Sequence, residues 1–332
     1  MKVIIPMAGM GTRMRPHTLV TPKPLLLIAG KTIVERIIKD LKKYTGIPVE
    51  EVHYVIGRFG KEVEDKLIKI AEDIGSKSFI HYQDVALGTA HAVYCAKDAL
   101  KGEVIIAFAD TLFLGNMQIQ NDDESIIWTL KVNNPESYGV VTTTENDIIT
   151  GFVEKPKDKV SDKAIIGIYY FRKAEILKSK IDDLIQKNIT VKGEYQLTDA
   201  LESMLSEGNV FKCRTIEKWL DCGNKQLFLE SSKNVLAREF SEGIEYNNGN
   251  SRIIVPVYIG KNVVIENCEV GPYVSLEDDV TIYDSSIKDS IIGSNTKIVL
   301  SNISNSIIGR YCNLRNCNGI MSMGDYNEYE GT

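Results

Sequence analysis

From Ile259 to Leu314, aliphatic residues recur every five or six positions: Ile259, Ile265, Val270, Leu276, Ile282, Ile287, Ile292, Ile298, Ile303, Ile308 and Leu314. An amphipathic helix returns to one face after three or four residues, and a strand after two. A step near six fits neither. It is the hexapeptide pattern of a parallel β-helix, in which one aliphatic side chain per flat side points inward. At about three sides per coil, these positions predict roughly three to four coils. Glycine follows the aliphatic residue at Gly260, Gly271, Gly293 and Gly309. The five-residue steps predict imperfect coils. An irregular β-sandwich is the competing architecture, and the unbroken run of spacings weighs against it.

The chain before residue 240 follows a different rule. Apolar runs at 3–6, 52–56, 79–82 and 104–107 read as strands. Helical spacing fills 32–44, with Ile33, Ile37, Ile38 and Leu41 on one face, and also 61–74 and 90–97. Strands alternating with helices predict an α/β domain with a mostly parallel sheet covered on both faces. Ligands of such sheets bind beyond the carboxyl ends of the strands. The expected organisation is a first domain over 1–240, a polar linker over 241–252 and a β-helix over 253–325. At 332 residues, two domains suit the length.

Composition narrows the function classes. Lys plus Arg is 39 and Asp plus Glu is 45, a net charge of −6. A mildly acidic chain has no global field to attract nucleic acid, so no nucleic-acid partner is expected. No apolar run approaches the ~18 residues of a membrane span, so no membrane partner is expected either. Cys95, Cys213, Cys222, Cys268, Cys312 and Cys317 form no CxxC pair. Reduced thiols and a cytoplasmic location are the corresponding expectation.

The densest chemistry follows the first strand. Residues 6–16 read Pro-Met-Ala-Gly-Met-Gly-Thr-Arg-Met-Arg-Pro, and 21–24 read Thr-Pro-Lys-Pro. Ala8, Gly9, Gly11 and Thr12 form a tight turn whose backbone N–H groups can face phosphate oxygens. Arg13 and Lys23 add positive charge where a triphosphate would lie. The motif is neither GxGxxG nor a GK[ST] phosphate loop. Asp110 follows the strand over 104–107, a common metal or ligand position in α/β folds. Gln83 presents one donor and one acceptor face, which suits the O4/N3–H edge of uracil or thymine.

G-x-G-T-R followed about ten residues later by P-K-P resembles the sugar-1-phosphate nucleotidyltransferases. Within them the chain is most similar to the long thymidylyl- and uridylyltransferases that end in a left-handed β-helix. The resemblance covers nearly the whole chain. It implies transfer of a nucleotidyl group from dTTP or UTP to a hexose-1-phosphate, glucose-1-phosphate foremost, with pyrophosphate released and Mg²⁺ as cofactor. It further implies that Gln83, Gly88 and Thr89 hold the base. Gly139, Glu154, Lys155, Gly167 and Tyr169 would form the sugar-phosphate half, with Arg13, Lys23 and Lys155 as the catalytic cations. Residues 219–223, Trp-Leu-Asp-Cys-Gly, match the family's W-x-D-x-G, so Asp221 would join Asp110 at one Mg²⁺. Where the family usually has Gly before the first Asp, this chain has Ala109.

Other residues invite blander readings. His91 is expected to be a helix residue, Cys222 a packing residue, and Thr198 and Asp199 caps of the helix that follows. Glu194 is a weaker sugar candidate. The reaction needs no general base, because a phosphate oxygen is already ionised at pH 7; positioning and charge stabilisation suffice.

Four alternatives compete. A metal-dependent glycosyltransferase would show D-x-D. A non-catalytic sugar-nucleotide-binding subunit would tend to lose the charged site residues. A purine-specific, mannose-1-phosphate guanylyltransferase-like member would differ at the base. An acyltransferase in the β-helix would want a histidine base, and the four histidines are 17, 53, 81 and 91. The β-helix is therefore expected to be a structural, oligomerising or regulatory module, and the chain a homo-oligomer.

Overall fold

The structure, a computed structural model, describes residues 1–158, 160–242 and 250–331. Much of the expected linker, residues 243–249, lies outside the described residues.

The elements up to residue 239 run β1 (Lys2–Pro6), β2 (Leu27–Ile28), β3 (Lys31–Thr32), α1 (Ile33–Thr45), β4 (Glu51–Ile56), α2 (Lys61–Glu72), β5 (Lys77–Tyr82), α3 (Thr89–Cys95) and β6 (Val104–Ala107). There follow β7 (Thr111–Leu114), β8 (Ser125–Lys131), β9 (Gly139–Thr143), β10 (Ile149–Glu154), β11 (Lys163–Phe171), α4 (Ala174–Gln186), α5 (Leu197–Ser206), β12 (Phe211–Thr215), β13 (Lys218–Asp221) and α6 (Lys225–Glu239). The chain divides into two compact units. One comprises residues 1–9 and 37–219, the other residues 10–36 and those from 220 onward.

The first unit is built on a nine-stranded sheet. Its main path runs β10-β9-β11-β6-β1-β4-β5, with β8 joining β11 to β12. β6, β1, β4 and β5 pair in parallel, as the apolar runs predict. Val3, Ile4 and Ile5 of β1 are fully buried, the signature of a central parallel strand. β11 changes the character of the sheet, pairing antiparallel with β6, β8 and β9. The sheet is thus parallel on one side and largely antiparallel on the other. Between Ile165 and Tyr169 the β11–β8 register slips, a bulge at Gly167. Ala90, Val93, Leu177, Ile181, Leu197 and Leu201, from α3, α4 and α5, pack in one core with sheet residues. β1 leads at its carboxyl end into Ala8 and Gly9, and β6 into Asp110.

In the second unit, fifteen short strands from Arg252–Ile253 to Glu328–Glu330 form three parallel five-stranded sheets. This is the left-handed parallel β-helix, with five coils rather than three to four. Ten of the eleven periodic aliphatics are buried in its core, and Ile259 packs partly buried against it. Along one sheet the register pairs Ile259 with Leu276, Leu276 with Ile292, Ile292 with Ile308 and Ile308 with Met323. Coils therefore shorten from 17 to 15 residues. The corners explain the step. Asn262, Asn267, Asp279, Asp284, Asp289, Asn295, Asn305 and Asn316 all adopt positive φ. Asn and Asp enter that region at the least cost among residues with a side chain. Their side chains also bond from coil to coil, as Asn262 to Asp279 at 3.0 Å and Asn267 to Asp284 at 3.1 Å.

Residues 10–36 belong to this unit because the β-helix holds them. The β2–β3 hairpin donates from Ala29 N to Ser275 Oγ at 3.2 Å and from Gly30 N to Glu277 Oε1 at 3.4 Å. Arg310 donates to Thr21 Oγ1 at 3.1 Å, and His17 pairs with Ser322 Oγ at 3.1 Å. No helix among the described residues is long and apolar enough to cross a membrane.

Glu277 is the weak point of this docking. Burial pushes its carboxyl up to about 7, although Ser275 and Gly30 donate to it. A carboxyl raised above its unfolded value contributes most below the unfolded pKa and loses that contribution as pH rises through the folded pKa. The stability of this unit should therefore fall by on the order of 3 kcal/mol between pH 5 and pH 8 through this group. Glu277→Gln keeps the acceptor and cannot ionise. Its thermal midpoint should match wild type near pH 5 and exceed it at pH 8; equal midpoints at both values would refute the assignment.

Candidate functional site

The predicted site residues divide between the two units, and each unit assembles its share in a definite way.

In the second unit, Gly11 adopts φ 58° and opens a short turn of helix over Thr12–Met14. A side chain there would press on Lys23 Cβ at 3.1 Å and Thr18 Cγ2 at 3.2 Å. Thr18 Oγ1 donates to Gly11 O at 2.8 Å, closing the loop on itself. Met14 is fully buried and anchors the loop, while Thr12 and Arg13 stay exposed. Lys23 begins a second short helical turn, Lys23–Leu25, set between buried Pro22 and Pro24. Asp221 Oδ1 accepts the Gly223 N–H at 2.6 Å. A Cβ on Gly223 would lie 2.8 Å from that same oxygen and 3.5 Å from Arg13 Nη2. Arg13 and Asp221, 208 residues apart in sequence, thus flank one glycine. Cys222 beside them is fully buried, as a packing residue should be.

In the first unit, Gly88 is the hub of the expected base segment. It precedes α3 with φ 102°, and a Cβ there would lie 2.5 Å from Tyr195 O and 2.7 Å from Tyr195 N. The two segments are stitched together by Tyr195 N to Leu87 O at 2.8 Å and Ala90 N to Tyr195 O at 2.9 Å. Thr89 Oγ1 accepts Leu197 N–H at 2.9 Å, so its hydroxyl serves this joint. Gln83 follows β5, and its amide nitrogen lies 3.2 Å from Gly88 O and 3.0 Å from His91 Nδ1. Its donor face is therefore engaged within the protein. Burial holds His91 below its ordinary pKa.

The sugar-phosphate candidates gather around β9, β10 and β11. Gly139 and Glu154 sit opposite each other in the β9–β10 ladder, and a Cβ on Gly139 would come within 2.9 Å of Glu154 Oε2. Glycine there leaves room for the carboxylate. Burial pushes Glu154 up, against the pull of Lys155, whose Nζ lies 3.7 Å from it. Lys155 keeps an exposed ammonium and adopts φ 44°, turning the chain out of β10. Gly167 O accepts Phe108 N–H at 2.9 Å, and Thr111 Oγ1 donates to Ile166 O at 2.7 Å. These bonds tie the Asp110 turn to β11. Tyr169 is buried and meets Phe108 edge-on at 6.1 Å.

Two expectations need correction. Thr198 and Asp199 do not cap α5: Gln196 holds the cap position, and no side chain caps it. Thr198 Oγ1 and Asp199 Oδ2 are instead buried without hydrogen-bond partners. Thr198 Cγ2 stands 3.8 Å from where a Cβ on Gly139 would lie, and Asp199 helps to push Glu154 up. Both stand near the sugar-phosphate candidates, within residues 193–199, whose sequence resembles the family's sugar-side loop. The sequence predicts that Gln83 offers both faces of its amide to a base; only the carbonyl oxygen is left for that purpose once Gly88 and His91 have taken the nitrogen. Glu194 is exposed and accepts from Gln196 at 3.1 Å.

Asp110 and Asp221 supply oxygen donors of the kind Mg²⁺ prefers. Among the described residues no group of three or more His, Cys, Asp or Glu could hold a metal.

Residues 2–238 match the family model described as nucleotidyl transferase. The chain is 31% identical to the bifunctional protein GlmU of Methanococcus aeolicus, over 96% of this chain and 80% of the relative. It is 27% identical to a glucose-1-phosphate thymidylyltransferase of Streptomyces griseus, over 94% and 92%. A solved Bacillus anthracis structure, described as a putative glucose-1-phosphate thymidylyltransferase in complex with sucrose, shares the fold with a TM-score of 0.60. Its identity is 22%, over 73% of this chain and 97% of that one.

The Gly88 joint is open to a direct test. Gly88→Ala adds strain at positive φ and a collision with the Tyr195 backbone. It should cost about 2–3 kcal/mol in urea unfolding. A variant as stable as wild type would mean that the segment can retreat from Tyr195.

Proposed function

Because this chain belongs to the nucleotidyl transferase family, we propose that it joins the nucleotidyl group of dTTP or UTP to a hexose-1-phosphate, glucose-1-phosphate foremost, with Mg²⁺. The observation that carries this reading is the Gly11 loop, where the Arg13 guanidinium and the Asp221 carboxylate flank Gly223. A cation suited to phosphate and a carboxylate suited to a hard metal ion stand side by side.

The chemistry asks little of acid–base groups. An oxygen of the sugar phosphate attacks the α-phosphorus, the bond from that phosphorus to the bridging oxygen breaks, and pyrophosphate carries the electron pair away. Arg13 and Lys23 offset the triphosphate charge, and Lys155 offsets that of the sugar phosphate. Mg²⁺, when bound with nucleotide, would neutralise further phosphate charge, and Asp110 and Asp221 are the residues that would hold it. Glu154 accepts hydroxyl hydrogens of the sugar, with Gly139 leaving it space. Gly167 and Tyr169 line the same strand. Burial depresses His17, to about 4, and His91, so neither carries charge at neutral pH.

The β-helix supports a holding role. None of the histidines falls in 253–325, so an acyl transfer relying on a histidine base finds no candidate there. Its Ser275, Glu277 and Arg310 instead brace the segment that carries Lys23.

The first test is a panel of nucleoside triphosphates against sugar-1-phosphates, scored by pyrophosphate release. dTTP or UTP should be best; a preference for GTP or ATP would indicate a purine-specific enzyme, and no release with any pair would indicate a binding subunit. The second is Arg13→Ala and Lys23→Ala, each expected to lower turnover by roughly 10²–10³-fold with folding intact by circular dichroism. Near-normal turnover in both would remove the Gly11 loop from the mechanism.

A further inference from the structure

We propose that His91 is a positioning residue that locks the Gln83 amide in one orientation, so that the site accepts the N3–H of uracil or thymine and turns cytosine away. The inference rests on the pyrimidine-nucleotide reading above and adds to it the device that sets the choice of base.

A glutamine amide by itself discriminates poorly. Rotated by half a turn, it exchanges acceptor for donor and pairs as well with cytosine, whose N3 is an acceptor, as with uracil, whose N3 is a donor. Discrimination requires that the turn be forbidden. Two neighbours oppose it here. Gly88 O, 3.2 Å from Gln83 Nε2, is a carbonyl and can only accept. It cannot swing aside, because it also accepts the Ala92 N–H at 3.1 Å within α3. His91 Nδ1, 3.0 Å from the same nitrogen, is the second. Facing an amide N–H, Nδ1 must carry its lone pair, which places the ring proton on Nε2. Burial of the ring favours a neutral imidazole, which can offer such a lone pair. Both hydrogens of Gln83 Nε2 are thus assigned, and a rotated amide would set its oxygen against the Gly88 carbonyl oxygen and, in this tautomer, against a ring lone pair, so that rotation requires the His91 proton to move from Nε2 to Nδ1 and still leaves the clash at Gly88. Oε1 remains as an acceptor. The base segment is rigid where this matters, since Thr89 is bound to Leu197 and both neighbours of the 88–89 step are bound to Tyr195.

The experiment compares nucleotide binding by titration calorimetry with Mg²⁺, using UTP, dTTP and CTP. The quantity read is the CTP dissociation constant divided by that of the better of the other two. His91→Phe fills the ring's space without an acceptor. It should lower this ratio about tenfold, the scale of one hydrogen bond, with its thermal midpoint close to wild type. His91→Asn places a carbonyl oxygen where Nδ1 stood and should restore the ratio. If His91→Phe does not fold, His91→Ala, which only removes the acceptor, is read in its place. A wild-type ratio in the Phe or Ala variant, or an Asn variant no better than Phe, overturns the role of His91 and leaves the pyrimidine reading standing. A wild-type protein that binds CTP as tightly as UTP and dTTP overturns both.

Discussion

A buried guanidinium governs the second unit. Arg36 is 4% exposed, yet it directs bonds to Ile28 O at 2.7 and 3.0 Å, to Ala29 O at 3.2 Å and to both carboxylate oxygens of Glu239 at 2.9 and 3.1 Å. A charge removed from water is tolerated only when its hydrogens are met in this way. Burial alone would raise Glu239, but Arg36 and then Arg238 hold it below its ordinary value. The arrangement fixes the carbonyls of the β2–β3 hairpin from one side, leaving its N–H groups for Ser275 and Glu277 on the other. The hairpin follows Lys23 by a few residues. The position of a residue proposed to meet phosphate therefore depends on an ion pair that touches no substrate.

Charge is distributed with some economy across the candidate residues. His17 and His91 are kept neutral by burial, and each serves as a hydrogen-bond partner. Positive charge near the proposed phosphates is left to Arg13, Lys23 and Lys155. On the sugar side, Glu154 is raised by its own burial and by Asp199.

The repeat was the most legible part of the chain, because an inward aliphatic at each flat side is a purely local demand. Its count fell short at the ends. The last coil puts Ser322, Met323 and Tyr329 in register with residues such as Ile307, Ile308 and Leu314, so the aliphatic signal stops while the backbone continues. The parallel strands were equally plain, since burial on both faces writes itself as unbroken apolar runs. The antiparallel strands around β11 were not, because pairing partners lie far apart in sequence. Among the candidate residues, residue types and spacings picked out Arg13, Lys23, Gln83 and Asp110, and the family resemblance added Glu154 and Asp221. Pairings escaped: Gln83 with His91, Arg13 beside Asp221, Arg310 with Thr21. Thr198 and Asp199 read in the sequence as helix caps within a segment that resembles the family's sugar-side loop, and the burial of Thr198 Oγ1 and Asp199 Oδ2 without partners emerges only in the structure.

One face of the β-helix carries a column of glycines. A Cβ on Gly293 would strike Gly309 at 2.6 Å, one on Gly309 would strike Gly324 at 2.5 Å, and one on Gly324 would press Pro16 at 3.1 Å. Along the same face stand Ser275 and Glu277 in the second coil, Arg310 in the fourth and Ser322 in the fifth, all bonded to residues 17–30. The coils act as a ruler. Successive strands are about 4.8 Å apart, so inserting or removing one coil between Glu277 and Arg310 would slide one set of fastenings past its partners by that distance. Coil number in this stretch then sets the spacing of the points that hold residues 17–30, and a lineage could lengthen the solenoid freely only beyond its last fastening.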